Sequence, residues 1–159
     1  MNYLNVEASQ HEMRLIQMGA KVEQINSKMC YIKFVIDGVP VEYVYNLNKK
    51  NKYFLERIKP YPLAVKTYEN VADLVEVINI DIKQFKNVVK SKNIESFLTI
   101  NKELISTIKK FEDLFLYYNI PLEEVELLRN KISEIQQEIV KTKETAERVF
   151  FDKDPENLK

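Results

Sequence analysis

The segment from Cys30 to Tyr45 constrains this chain more than any other. Asp37-Gly38 sits between two runs of alternating apolar residues. A two-residue Asp-Gly loop favours a type I′ turn, because both central positions need positive φ. Placing the loop there pairs Ile36 with Val39, Phe34 with Val41, Ile32 with Tyr43 and Cys30 with Tyr45. All of these side chains then share one face, while Lys33 meets Glu42 on the other. A slip of one residue would turn every apolar group outward, so the pattern fixes the register.

The flanks extend this hairpin into a sheet. Residues 5–18 read as a short helix with Val6, Met13, Leu15 and Ile16 as its apolar positions, and Gly19 stands where a helix end wants a left-handed residue. Lys21–Asn26 and Tyr53–Lys59 are the expected flanking strands. Pro60 and Pro62 close the sheet region, since neither can donate to a ladder. The expectation for residues 1–66 is a four-stranded antiparallel meander with helix 5–18 on its apolar face.

Beyond Thr67 the period is helical. Residues 70–91 carry Val71, Leu74, Val75, Ile78, Ile82, Phe85, Val88 and Val89 on one stripe. Residues 93–118, with Asn93 as the expected N-cap, repeat apolar groups at steps of three and four: Ile94, Phe97, Leu104, Ile108, Phe111, Phe115 and Tyr118, with Asn101 in the seam. Pro121 opens a third helix over 122–150, whose seam is Val125, Leu128, Ile132, Ile135, Ile139, Thr142, Ala146 and Val149. The fold class is therefore α+β: an N-terminal helix and four-stranded meander, then three long amphipathic helices over 67–151. A polar tail, 152–159, is expected to be disordered.

The three-residue break at Asn119-Ile120-Pro121 makes the last two helices antiparallel neighbours, a hairpin of roughly 40 Å at 1.5 Å per residue. A bundle of the three helices within one chain is the plain expectation. The sharper one is self-association along the last helix, where Glu124 and Arg129, and Glu138 and Lys143, have the five-residue offset of a parallel coiled coil.

Composition excludes several functions. The chain holds only two glycines, Gly19 and Gly38, too few for any loop that cradles phosphate through its backbone. No apolar run approaches the length of about 20 residues that spans a bilayer, and residues 1–9 do not resemble a secretory signal. One cysteine gives no internal disulfide. A cytoplasmic protein without membrane contact is expected. Residues 1–66 hold 10 Lys/Arg against 6 Asp/Glu and the remainder the reverse bias, so no strongly basic footprint exists.

Candidate chemistry is sparse. His11 is the sole histidine and shares a helix face only with Glu7, too little to hold a metal. Cys30 falls on the apolar face of the hairpin, an inert setting for a thiol. Asp81 interrupts the stripe of the first long helix, as an ion-paired carboxylate or an acid–base group. Lys49, Lys50, Lys52, Tyr53, Arg57 and Lys59, with Tyr61 beyond and Tyr31 on the outer face, interleave cations with aromatics as single-stranded nucleic acid requires. Lysines in such a loop also keep an edge from pairing. No cofactor motif and no nucleophile–base pair is present, which argues against an enzyme. The leading expectation is a non-catalytic interaction or assembly module that forms a homo-oligomer or binds a protein through Val125, Leu128, Ile132, Ile135 and Ile139. The alternative is a nucleic-acid-binding module on the basic hairpin.

Overall fold

A computed structural model describes residues 3–24, 27–48, 52–68 and 70–158. The elements run α1 (Tyr3–Gln17), β1 (Ser27–Ile36), β2 (Val39–Asn48), β3 (Tyr53–Lys59), β4 (Leu63–Tyr68), α2 (Val71–Val88), α3 (Ile94–Tyr117) and α4 (Leu122–Thr145). The sheet is an antiparallel meander in the order β1-β2-β3-β4. Fold class and element types are those expected.

The hairpin register is also as expected, from Ile36 opposite Val39 to Cys30 opposite Tyr45, with Lys33 opposite Glu42. Asp37 and Gly38 have φ of 48° and 82°, the left-handed values a type I′ loop demands. Pro40 is tolerated inside β2 because it faces Val35 at a position where the two strands exchange no backbone bonds. At the end of α1, Gly19 has φ of 95°; its N–H bonds to the carbonyl of Ile16 and that of Ala20 to Leu15, a Schellman closure.

Two expectations about the sheet are corrected. The fourth strand is Leu63–Tyr68, not Lys21–Asn26: residues 21–24 form no strand, and 25 and 26 lie outside the described residues. Pro60 and Pro62 do not end the sheet; they occupy the short connection from β3 to β4, where no ladder bond is required of them. A register shift on each side of β3, at Glu42/Tyr43 and Phe54/Glu56, absorbs the irregularity.

The helix over the apolar face is likewise not α1. Met13, Leu15, Ile16 and Met18 stay 45–75% exposed. Helix α2 lies over β3 and β4 instead, and Leu74, Ile78, Ile82 and Phe85 join Ile36, Val41, Tyr43, Tyr53 and Leu55 in the core. The reason is pattern strength. These four residues at i, i+4, i+8 and i+11 form a continuous stripe, and burying each contributes about 1.5–3 kcal/mol. The Asn70 side chain accepts from the backbone N–H of Asp73 at 2.8 Å and so caps the helix. Asn93 sits at the N-cap of α3 without making the corresponding bond.

The long helices α3 and α4 match their expected limits at every end but one, since α4 stops at Thr145 rather than near 150. Neither helix buries a single residue. Among the described residues, α3 reaches the core through Phe97, and α4 does not reach it. The bundle core expected for the three helices is thus not formed within one chain. The tail is not left loose: it folds back along α2, where Asp152 pairs with Lys83 at 3.3 Å and the Val149 carbonyl accepts from Asn87 at 3.4 Å.

Candidate functional site

The hairpin of α3 and α4 is built from heptads, so its apolar groups gather on one side of each helix. In α3, Leu104, Ile108, Phe111 and Phe115 are 40–65% exposed; in α4, Ile132, Ile135 and Ile139 are 47–52% exposed, while Val125 and Leu128 are half-buried. Between the helices lies a groove of about 690 Å³, lined by Phe111, Val125, Arg129, Asn130, Ile132, Ser133 and Gln136. The five α4 seam residues named from sequence are therefore brought onto one accessible strip.

The area is large. A compact monomer of 18.9 kDa exposes roughly 8,300 Å². This chain exposes 13461 Å². The excess over the whole chain, on the order of 5,000 Å², is shared by the exposed α1 and the hairpin, and it is several times the roughly 800 Å² that one partner contributes to an ordinary stable interface. Of the two charge pairs anticipated across such an interface, Lys143 donates to the carbonyl of Leu158 at 2.7 Å and Arg129 stands 4.0 Å from Glu126 of its own helix. The parallel-coil pairing is thus only partly free.

A second constellation joins α2 to the sheet. The Arg57 guanidinium, 7% exposed, bonds both Asp81 oxygens at 2.8 and 2.9 Å, and the Tyr43 hydroxyl donates to the same carboxylate. The rings of Tyr61 and Phe85 flank the cation at 4.9 and 4.8 Å. Burial, and then the bond to Asp81, push the Tyr43 hydroxyl far above its usual range. Asp81 therefore interrupts the α2 stripe because Arg57 of the neighbouring strand requires a counter-charge. Both of its oxygens are engaged, by Arg57 and Tyr43.

On the outer face Glu42, 1% exposed, accepts from the Tyr31 hydroxyl and pairs with Lys59 at 3.5 Å and Lys33 at 3.7 Å. The Tyr31 bond, followed by the two ammonium groups, holds this carboxyl below the usual carboxylate range against the effect of burial. Only the Lys33 pair was legible in sequence.

The basic constellation is largely dispersed. Tyr53 and Arg57 are in the core at 7% and 5% exposure, so neither meets a nucleic-acid strand. Lys59 is engaged by Glu42. Lys49 and Lys50 lie outside the described residues, and Lys52 is exposed. Their alternation with buried positions is the cause: β3 reads Tyr53, Leu55, Arg57 inward, and an inward arginine looks in sequence like any other cation. His11 sits on α1 and is exposed. Half-buried Cys30 faces Tyr45, whose hydroxyl it raises through a hydrogen bond. Among the described residues, no three His, Cys, Asp or Glu side chains gather to hold a metal ion.

A further concavity of about 700 Å³ lies where the tail turns back past Gln84 and Ala146. Its cations are engaged already, Arg148 by Asp154 at 2.7 Å and Lys153 by Glu156 at 3.1 Å. Among the described residues no helix is long and apolar enough to cross a membrane. No known protein family, curated protein or solved structure matches the chain, and the surface itself carries the functional reading.

Proposed function

We propose that this chain is a non-catalytic assembly module whose α3–α4 hairpin associates with the hairpin of a second copy. The supporting observation is that two 24-residue helices with heptad seams bury no residue of their own. Four such helices, two from each copy, give each seam an apolar neighbour, which is how antiparallel helical hairpins close a core. Val125, Leu128, Ile132, Ile135 and Ile139 form the centre of the contact. The sheet with α2 is the rigid body that the hairpin joins together. A cytoplasmic location belongs to this reading, in keeping with a lone, half-buried cysteine.

The test is the Leu128→Ala/Ile135→Ala double variant. Its solution mass should fall toward the monomer at concentrations where the wild type is a dimer or larger; an unchanged mass contradicts the reading. Nucleic-acid binding is the weaker alternative, because the burial of Tyr53 and Arg57 leaves it little stacking surface.

A further inference from the structure

The two edges of the sheet are unlike each other. Strand β4 is 6 residues long, follows Pro60 and Pro62, and has a register shift against β3. These are the devices that stop an edge from pairing with another strand. Strand β1 has none of these three, and Lys28 and Lys33 are its only charged residues. Its 10 residues run opposite β2 in a single unbroken register from Ser27 to Ile36.

The loop decides which groups of β1 are free. A two-residue loop closes on a hydrogen-bonded pair, here Ile36 with Val39, so the even-numbered residues Phe34, Ile32 and Cys30 exchange backbone bonds with β2. The N–H and C=O groups of Met29, Tyr31, Lys33 and Val35 point away from the sheet. Among the described residues, no backbone bond from outside the sheet reaches them. The side chains around this edge are apolar on both faces: Met29, Tyr31 and Val35 are 57–70% exposed, and Phe34 is 37% exposed. Lys33 stands 3.7 Å from Glu42, which offsets its charge, and its side chain stays 58% exposed.

We propose that β1 pairs antiparallel with β1 of a second copy and joins two four-stranded sheets into one of eight. The strand is complementary to itself. A two-fold axis through Ile32 sets Met29 opposite Val35, Cys30 opposite Phe34, and Tyr31 opposite Lys33. Every apolar residue from 29 to 35 except Tyr31 then meets an apolar partner, and no lysine meets a lysine. An axis through Lys33 would oppose two like charges, and one through Tyr31 would set Lys33 against Met29 and Lys28 against Phe34. Because α2 covers β3 and β4, the strip beside the axis is only partly covered, with Cys30 and Ile32 half-buried and Phe34 exposed, and it becomes continuous across both copies. This self-complementarity favours a second copy over an unrelated peptide.

The contact uses a different surface from the helical hairpin and stands without it. Across the new ladder, Ile32 would face its own counterpart at a non-hydrogen-bonded pair, with Cα atoms about 4.5 Å apart. Disulfides form at about 4.4–6.8 Å. Full-length protein carrying Cys30→Ser and Ile32→Cys should therefore cross-link to a covalent dimer under mild oxidation. Cys30→Ser with Val35→Cys carries a more exposed thiol on the other face of the sheet, six positions out of register, and should remain uncross-linked. The result should persist when Leu128→Ala and Ile135→Ala are added, which separates this contact from the hairpin. Failure of the residue 32 variant to cross-link, or equal cross-linking at 32 and 35, would overturn the proposal.

Discussion

Asp81→Asn keeps the shape of the side chain and removes its charge. It strands the Arg57 guanidinium, 7% exposed between two aromatic rings, without a counter-ion. Breaking one partner of a buried pair costs about 3–5 kcal/mol. The Asp81 side chain is itself 22% exposed, and residual hydration of the site places the loss near the lower bound, about 3 kcal/mol. The chain lacks tryptophan, so urea unfolding is best followed by tyrosine near-ultraviolet dichroism, which reports on Tyr43 and Tyr53 in the core. The midpoint should fall while the slope stays the same, since the same surface is exposed on unfolding. Replacing all three partners, as Arg57→Met and Tyr43→Phe with Asp81→Leu, should restore most of the loss, because no unpaired charge or stranded hydroxyl then remains. A destabilisation below about 1 kcal/mol would refute the reasoning, since that is the worth of a solvated pair.

Other outcomes follow from the same geometry. Tyr43 has its hydroxyl pKa raised in the fold, so its contribution is complete below the ordinary value of 10.0 and is lost as pH rises above it; Tyr43→Phe should flatten the alkaline decline in stability. Glu42 has its pKa lowered, so its contribution is present above 4.5 and is lost as pH falls below that value; Glu42→Gln should flatten the acid limb of the same curve. Deleting residues 1–20 should change the unfolding midpoint by less than about 1 kcal/mol in equivalent stability, because the described side chains of α1 add nothing to the core. A larger loss would mean that α1 packs on the sheet after all. Single-stranded oligonucleotides should show no steeply salt-dependent binding; a steep slope that Lys49→Gln, Lys50→Gln and Lys52→Gln reduce would revive the alternative function.

The parts legible in sequence are those set by local rules. The Asp37-Gly38 loop allows one register, and that register fixed ten cross-strand pairs. The heptads of α3 and α4 gave every limit but the end of α4, because Pro121 and the period are local signals. The errors arose where distant segments compete for one partner. Neither Lys21–Asn26 nor Leu63–Tyr68, with its Leu-Ala-Val run, alternates strictly, and only the latter follows a short connection that returns it beside β3. Helices α1 and α2 both offered an apolar stripe to the same sheet face; the wider, more continuous stripe of α2 took it. Arg57 misled for a related reason, since its inward position depends on Asp81, 24 residues away and on another element. The seam of α4 was legible in sequence, and its exposure in the single chain is what supports the proposed assembly.

Absolute molar mass by light scattering, taken across a wide range of concentrations for the wild type and for Leu128→Ala/Ile135→Ala, tests the assembly claim most directly. The account predicts a wild-type dimer or larger species whose mass falls in the double variant. A wild type that remains monomeric at the highest concentration would contradict it.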